Sequence, residues 1–212
     1  MSRRVVVIDY GIGNLLSVTR ALAQVGAEPV LSSSPNEIAN ADRLILPGVG
    51  AFGDGMAGLA AAGLSDTVRR YADRGRPFLG ICLGMQMMLD TSMEFGSHLG
   101  LGLVAGTVVP VPTTTSDGKA HKIPHIGWNR LLPAGGDWRG TILEDLPGDP
   151  DTYFVHSFMA DPRDPAHRLA DCEYDGQRVG AAIRRDHLYG CQFHPEKSGR
   201  VGLKILKNFI AL

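Results

Sequence analysis

The segment from residue 77 to residue 89 constrains the fold of this chain more than any other. An apolar run, Pro77–Ile81, leads into the pattern Gly-x-Cys-x-Gly at 80–84, and a helix-like run, Leu83–Leu89, follows. This order predicts a strand, a sharp turn and a helix. The two glycines leave room for a tight turn that holds Cys82 in strained backbone geometry at the carboxyl end of the strand.

Cys82 has two interpretations at such a turn. Its side chain would be exposed there, and the N–H groups and partial positive charge of the following helix would favour the thiolate, which is the form of a nucleophile. The alternative is a small buried cysteine that ends a core strand, because buried free cysteine is common. The pentapeptide alone leaves both open.

The first half of the chain alternates strands with helices. Because strands that alternate with helices form parallel sheets covered on both faces, this half predicts such a sheet. The glycine density between 48 and 63 is higher than a helix connection requires. The predicted strands are Val5–Asp9, Glu28–Leu31, Arg43–Leu46 and Pro77–Ile81, and the predicted helices are Leu15–Val25, capped by Asn14, and Leu64–Asp73.

The second half predicts antiparallel strands added to the parallel ones. Asp175-Gly176 is a strong signal for a two-residue hairpin. The predicted strands are Val104–Val111, Ile126–Leu132, Tyr153–Phe158, Leu169–Tyr174, Gln177–Ile183 and Leu188–Phe193, with a closing helix over Gly199–Leu212. Residues 113–122 and 135–150 are expected to be irregular. We therefore predict one α/β domain over 1–212, with a mixed, mostly parallel central sheet flanked by helices.

Charge and composition exclude several classes of function. The formal net charge is −1 and no run of Lys or Arg stands out, so neither a nucleic-acid partner nor a membrane surface is expected. Asp9 ends the first apolar run far short of a signal peptide, and no stretch reaches the length of a transmembrane helix. The 3 cysteines cannot all pair, which favours a reduced, cytoplasmic protein.

A histidine and a carboxylate complete a candidate site with Cys82. His194 ends an apolar strand, and Pro195 after it favours extended backbone. Residues two apart in an extended segment share a face, so Glu196 is able to orient the imidazole. Nucleophile, base and orienting carboxylate form the general triad, and strand ends from distant segments meet at one edge of a parallel sheet.

A glycine-rich loop supplies what this triad lacks. The loop Pro47–Gly50 follows a predicted strand, and its N–H groups, from Val49 and Gly50, are able to face a developing oxyanion. The N–H of Leu83, directly after the nucleophile, is the natural second donor. A plain strand-to-helix connection is the alternative. Gly11-x-Gly13 is a weak match to a dinucleotide-binding loop, because Leu16 stands at the third glycine position.

These motifs together resemble the class I (triad) glutamine amidotransferases. The resemblance rests on the segment 80–86, the loop 47–50 and His194-Pro195-Glu196. Within that class the chain is similar to the glutaminase subunits of imidazole glycerol phosphate synthase over nearly its whole length. The stretches that carry this similarity are 9–14, 47–52, 124–129, 154–158 and 192–198.

The resemblance implies a flavodoxin-like amidotransferase fold and hydrolysis of L-glutamine to L-glutamate and ammonia, without cofactor or metal. It also implies a (β/α)₈-barrel cyclase partner in a heterodimer, which uses the ammonia to make imidazole glycerol phosphate and aminoimidazole carboxamide ribonucleotide in histidine biosynthesis. The implied site residues are Cys82, His194 and Glu196 for catalysis, Val49, Gly50 and Leu83 for the oxyanion, Gly50, Gln86, Ser157 and Phe158 for glutamine, and Asn14, Ile126, Trp128, Tyr153 and Lys197 for the partner.

Two other functions stay open on the residues alone. The first is a stand-alone cysteine hydrolase of γ-glutamyl compounds on the same fold, active without a partner. The second is a non-catalytic ligand-binding module, in which the Cys82 thiol would react no faster than an ordinary cysteine.

Overall fold

The structure is a computed structural model that describes residues 3–212. Met1 and Ser2, the first two residues of the segment considered above for a signal peptide, lie outside the described residues. The helices are α1 Leu15–Gln24, α2 Pro35–Ala39, α3 Phe52–Ala61, α4 Ser65–Ala72, α5 Leu83–Gln86 and α6 Gly199–Ala211.

The strands of the described chain are β1 Arg4–Ile8, β2 Glu28–Ser32, β3 Leu44–Leu46, β4 Phe78–Ile81, β5 Leu89–Ser92, β6 His98–Leu99, β7 Val104–Pro110, β8 His125–Arg130, β9 Leu132–Pro133, β10 Asp151–His156, β11 Phe158–Pro162, β12 Arg168–Tyr174, β13 Gln177–Arg185 and β14 Leu188–Cys191. Short 3₁₀ turns span Pro165–His167 and Pro195–Lys197.

One mixed sheet of 8 strands, in the order β2-β1-β3-β4-β14-β13-β12-β9, organises the fold. The strands from β2 to β14 are parallel, and β13, β12 and β9 continue the sheet antiparallel. This confirms the predicted mixed, mostly parallel sheet with antiparallel strands from the second half. The ends of β3, β4 and β14 therefore lie side by side at one edge.

Helices cover both faces of this sheet. In β1, Val5 and Val7 belong to one core, which contains the buried faces of α1 and α6, and Val6 and Ile8 belong to the other, which contains those of α2, α3 and α4. Alternation of side chains along a strand explains this division. A continuous apolar strand therefore indicates burial on both faces.

The glycine-rich stretch after residue 51 forms a helix, α3, which the sequence analysis did not predict. A Cβ added to Gly55 of α3 would lie 2.8 Å from Sδ of Met87 and 2.9 Å from Cδ2 of Leu83. Glycine is needed there for close packing of α3 on the segment after Cys82. The helix also has an unexpected cap, because the carboxylate of Glu94 accepts the N–H of Phe52 at 2.6 Å.

Two predictions of secondary structure are wrong. The helix predicted over 83–89 is a single turn, α5, and the chain then enters β5 of a second sheet, ordered β11-β7-β5-β6. The single strand predicted over 153–158 is two strands, β10 and β11, which pair with different partners, β8 and β7. Ser157 is the point where the chain passes from one pairing to the other.

No helix within residues 3–212 combines the length and the apolar character that a membrane crossing requires.

The elbow around Cys82 gives a prediction about stability. A Cβ added to Gly84 would lie 1.8 Å from the carbonyl oxygen of Leu46, so Gly84→Ala forces β3 and α5 apart. We expect a loss in the free energy of unfolding of about 3 kcal/mol or more, at the upper end of overpacking effects. Urea unfolding of the two proteins measures it.

Gly135→Ala is the matched control for this variant. A Cβ at Gly135 meets no atom within 4 Å, so its free energy of unfolding should stay within about 0.5 kcal/mol of the parent. A Gly84→Ala protein as stable as this control would contradict the close approach of α5 to β3.

Candidate active site

The backbone at Cys82 is strained and held from both sides. Its φ is 54° and its ψ is −113°, which a non-glycine residue rarely adopts. Its N–H donates to the carbonyl of Cys191 at 2.7 Å, which joins the end of β4 to the end of β14. A Cβ at Gly80 would lie 2.6 Å from the Cα of Met85, so the turn closes only with glycine there.

His194 and Glu196 lie together where β14 leads into the last helix. Nδ1 of His194 and Oε1 of Glu196 are 2.8 Å apart, and both side chains are almost fully buried. This hydrogen bond occupies Nδ1, so Nε2 is the nitrogen left to act on the thiol of Cys82. The N–H of His194 donates to the carbonyl of Tyr153 at 3.0 Å, which fixes the backbone of the histidine.

The charge of His194 follows from these neighbours. Burial by itself lowers the pKa of His194, but the interactions with Cys82 and Glu196 outweigh it and raise the pKa to about 9. The thiol of Cys82 interacts with the imidazole without meeting the geometry of a hydrogen bond to Nε2. At neutral pH the imidazole is therefore an imidazolium, which is the partner that stabilises a thiolate.

A cavity of about 250 Å³ brings the predicted site residues together. Cys82 and His194 line it, whereas Glu196 lies behind His194 and lines neighbouring, separate cavities. The full lining is Val49, Gly50, Cys82, Leu83, Gln86, Glu94, Val155, His156, Ser157, Phe158 and His194. Every residue predicted for the oxyanion and for glutamine is among them.

The glycine loop at 47–50 packs directly against the elbow. A Cβ at Gly48 would lie 2.9 Å from the N of Gly84 and 2.8 Å from the hydroxyl of Tyr10, so the loop approaches this closely only with glycine. That hydroxyl donates to the carbonyl of Pro47 at 2.8 Å and anchors the loop. Gly50 has a φ of 96°, a value that favours glycine.

Gln86 is tied to a glutamine that the sequence analysis did not single out. Nε2 of Gln86 donates to Oε1 of Gln192 and to the carbonyl of Phe158, both at 3.0 Å. Nε2 of Gln192 in turn donates to Sγ of Cys82 at 3.8 Å. The sequence did hold a sign that Gln192 belongs to the site. It lies two residues before His194 at a buried strand end, where a polar side chain needs a partner.

Glu94 is the second residue that the sequence analysis missed. It is the one acidic side chain among the residues that line the cavity. No motif surrounds it, and the short sheet formed by β5 and β6 brings it to the cavity. Its carboxylate, held by the N–H of Phe52, gives one side of the cavity a negative charge suited to a cationic group.

The residues predicted for the partner lie on the surface around this cavity. Ile126 and Trp128 are 55% and 57% exposed on the outer face of β8, and the Trp128 ring meets Tyr153 edge-on at 5.9 Å. The backbone of Tyr153 is bonded to His194, and Lys197 is exposed three residues further on. Asn14, the cap of α1, lines a small cavity together with His194 and Glu196.

No group of three or more His, Cys, Asp or Glu side chains within residues 3–212 is arranged to hold a metal ion.

A family model described as "Glutamine amidotransferase class-I" matches residues 6–212. The chain belongs to the class-I glutamine amidotransferase family. The match covers the elbow, the glycine loop and the His194–Glu196 pair in one continuous stretch, so all parts of the cavity described above lie within the family's domain.

Relatives of high identity cover almost the whole chain. It is 57% identical over 208 residues to imidazole glycerol phosphate synthase subunit HisH 1 of Legionella pneumophila (strain Lens), a match that spans 97% of this chain and 98% of the relative. It is 46% identical to subunit HisH of Geobacillus thermodenitrificans (strain NG80-2), over 97% of this chain and 94% of the relative.

Solved structures share the fold at low identity. The structure of PurLQS from Thermotoga maritima matches with a TM-score of 0.73 at 21% identity, over 100% of this chain and 99% of that one. A glutamine amidotransferase from Thermotoga maritima matches with a TM-score of 0.60 at 16% identity, over 93% of this chain and 78% of that one. These matches confirm the fold of a class-I amidotransferase.

The three thiols should differ in reactivity. Cys82 lines the cavity, whereas Cys172 and Cys191 are fully buried. Burial raises the pKa of Cys172 to about 12 and that of Cys191 above its usual range. We expect iodoacetamide to modify Cys82 of the folded protein on the order of 10²-fold faster than the other two, measured by peptide mass spectrometry over time.

A Cys82→Ser protein is the control, and it should lack the fast reaction. Modification of Cys172 or Cys191 at the rate of Cys82 in the folded chain would contradict the difference in environment.

Proposed function

We propose that this chain hydrolyses L-glutamine with Cys82, His194 and Glu196 in the cavity described above, and delivers the ammonia to a partner subunit. The chain is the glutamine amidotransferase subunit of imidazole glycerol phosphate synthase and acts in histidine biosynthesis, as its high identity to HisH subunits indicates. The observation that carries the residue assignment is that Cys82 and His194 share one cavity while Glu196 holds Nδ1 of His194 from behind.

The first half of the reaction breaks the amide. The Cys82 thiolate attacks the side-chain carbonyl carbon of glutamine, and a C–S bond forms as the carbonyl oxygen becomes an oxyanion. The C–N bond then breaks, and the nitrogen takes the proton of the His194 imidazolium and leaves as ammonia. The raised pKa of His194 supports this order, since the imidazole begins the reaction charged at neutral pH.

The second half releases glutamate. The neutral His194 takes a proton from water, the hydroxide attacks the thioester carbonyl, and the C–S bond breaks. The thiolate and the imidazolium are then restored, so water and glutamine have become glutamate and ammonia. Glu196 transfers no proton and keeps Nε2 of His194 directed at the thiol, as the orienting carboxylate of a triad does.

Backbone N–H groups hold the oxyanion in this scheme. Val49, Gly50 and Leu83 line the cavity with Cys82, and the glycine loop packs closely on the elbow, which supports their N–H groups as the proposed donors. Such a donor contributes about 10²–10³ in rate.

The rest of the cavity binds the amino-acid end of glutamine. Glu94 pairs with the ammonium group, because it is the one carboxylate among the residues lining the cavity. The backbone of Ser157 and Phe158, together with Gly50, forms the wall, and Gln86 holds that wall through the carbonyl of Phe158. The backbone N–H groups of this wall are the polar groups that this end of the substrate requires.

The ammonia requires an acceptor on a partner subunit. Residues 1–212 act as one amidotransferase domain, because one sheet takes strands from both halves and the family model spans 6–212. The partner is a (β/α)₈-barrel cyclase in a heterodimer, which uses the ammonia to make imidazole glycerol phosphate and aminoimidazole carboxamide ribonucleotide.

The docking surface consists of Asn14, Ile126, Trp128, Tyr153 and Lys197. It lies beside the cavity, so ammonia formed at Cys82 has a short path into the partner. Trp128 is the aromatic anchor, a residue type enriched at interface hot spots. Lys197 pairs with an acidic residue of the barrel.

The cytoplasm is the proposed location. The 3 cysteines are free and buried among the described residues, a pattern of reduced compartments.

Substitutions in the triad test the proposed roles. Cys82→Ala should abolish ammonia release while the fold stays intact, because no covalent route remains. His194→Ala should lower kcat by about 10²–10⁴, and Glu196→Ala by less, because Glu196 only positions the base. A coupled glutamate assay and far-UV circular dichroism measure activity and folding.

Cys172→Ala is the control for the nucleophile and should keep most of the activity. Turnover that survives Cys82→Ala would remove Cys82 from the mechanism, and a silent His194→Ala would remove the proposed base.

Substitutions on the docking surface test the partner proposal. Trp128→Ala should weaken binding of the barrel subunit by about 2 kcal/mol or more, as loss of an anchor does. Lys197→Ala should mainly raise the ratio of glutamate formed to imidazole product formed, because it disturbs the passage rather than the triad. Calorimetry and parallel product assays give both quantities.

Unchanged binding and an unchanged product ratio in both variants would mean that the partner docks elsewhere. The same assays, run with and without the barrel subunit, distinguish the proposed subunit from a stand-alone γ-glutamyl hydrolase, which would be fully active alone.

A further inference from the structure

Two histidines face each other at the wall of the cavity, where His156 is one of the lining residues. β8 and β10 form a separate two-stranded ribbon, in which His125 and His156 are directly opposite. Nδ1 of His125 and Nε2 of His156 are 2.9 Å apart, and both side chains are buried. Both histidines lie in stretches that carry the family similarity, 124–129 and 154–158, but the sequence analysis gave them no role and the proposed mechanism does not use them.

The direction of each hydrogen bond in this cluster is determined. Nδ1 of His156 lies 2.8 Å from the carbonyl oxygen of Phe158, which only accepts, so Nδ1 of His156 carries the proton. Nε2 of the neutral ring is then an acceptor, and Nδ1 of His125 must donate to it. Nε2 of His125 in turn accepts from Nδ2 of Asn129 at 2.7 Å.

Both rings are neutral in the folded protein. Burial lowers the pKa of His156 to about 3 against the opposing effect of the bond to Phe158, and His125 and His194 lower it further. Burial likewise lowers the pKa of His125 to about 4, assisted by His121 and opposed by Asp175. Neutral rings agree with the directions of these hydrogen bonds. A second proton on Nε2 of His156 would point at the N–H of His125 and leave no acceptor between the two rings.

The ring of His125 is packed tightly. It stacks on Tyr174 with ring centroids 4.1 Å apart and on Phe154 at 4.9 Å. Tyr174 also stacks on His121 at 4.2 Å and donates its hydroxyl hydrogen to the carbonyl of Lys122. The packing restricts His125 to one orientation, and the chain of hydrogen bonds is therefore rigid.

The chain ends at a carbonyl that the sheet leaves free. The carbonyl of Ser157 accepts the N–H of Val111, and since successive carbonyls of a strand point to opposite sides, the carbonyl of Phe158 points away from β7 at the edge of the sheet. Side chains hold this carbonyl instead: His156 at 2.8 Å and Gln86 at 3.0 Å. Ser157, the residue before it, lies where the chain passes from the pairing of β10 with β8 to that of β11 with β7. The hydrogen bonds of one strand pair therefore do not orient this segment by themselves.

We propose that Asn129, His125 and His156 are positioning residues for the substrate pocket, a neutral one-directional chain of hydrogen bonds that fixes the Ser157–Phe158 backbone against the bound glutamine. This assignment rests on the proposed function, because it takes that backbone as the wall of the glutamine site. The hydrogen bonds of the three side chains run to one another and to the carbonyl of Phe158, and not to Cys82 or His194. Their effect is therefore on binding of glutamine rather than on the chemical step.

Paired substitutions at His156 test this assignment in the assembled synthase. His156→Leu removes the donor to Phe158, and we expect KM for glutamine to rise about tenfold or more with kcat changed less than about threefold. His156→Asn keeps an N–H near the position of Nδ1 and should recover most of the KM. Asn129→Leu acts two hydrogen bonds further from the carbonyl of Phe158 than His156 does, and should raise KM by about two- to threefold.

The controls separate this proposal from the proposed function. Arg130→Gln, on the same strand with an exposed side chain, should leave KM unchanged. Cys82→Ala in the same assay reports whether glutamine hydrolysis depends on Cys82 at all. Hydrolysis that depends on Cys82 but has the same KM in His156→Leu and the parent would overturn the chain and leave the proposed function standing.

A measurement on the unaltered protein covers the case in which His156→Leu does not fold. In the chain labelled with ¹⁵N-histidine, the ring signals of His125 and His156 should both report the tautomer with the proton on Nδ1. Both signals should stay those of neutral rings down to about pH 5. A proton on Nε2 of either ring, or an imidazolium at pH 7, would overturn the proposal.

Discussion

The close approach of the Cys82 elbow to the end of β3 is the constraint on which the site depends. A Cβ at Gly84 would lie 1.8 Å from the carbonyl oxygen of Leu46, and a Cβ at Gly48 would lie 2.9 Å from the backbone N of Gly84. Because both contacts are between backbones, no rearrangement of side chains relieves them. They keep the strained φ of Cys82 in place and hold the glycine loop against the elbow that carries the thiol.

Two networks of hydrogen bonds meet on one carbonyl beside this elbow. Gln86 reaches it from the side of the thiol, through Gln192 and Cys82, and His156 reaches it from the ribbon of β8 and β10. Buried polar groups need partners, and here the partners come from four separate segments of the chain. The wall of the cavity is thus rigid although a crossover between two sheets runs through it.

The electrostatics of the site separate its histidines by environment. His194 has a buried carboxylate and a thiol as neighbours, and its pKa is raised, whereas His156 has only a carbonyl and other imidazoles near it, and its pKa is lowered. Two buried histidines line the same cavity, and at neutral pH His194 is therefore charged while His156 is neutral. That difference supports a role in proton transfer for His194 and a structural hydrogen bond for His156.

The sequence by itself determined the parallel half of the sheet, the elbow at Cys82 and the two motifs beside it, because these depend on residues that are close along the chain. Only the tertiary structure decided that the helix after Cys82 is one turn, since packing of α3 and entry into β5 end it there. It also decided the places of Glu94, Gln192 and the pair His125–His156. Their partners lie as far as 110 residues away, as Cys82 does from Gln192, and no local pattern specifies such a contact.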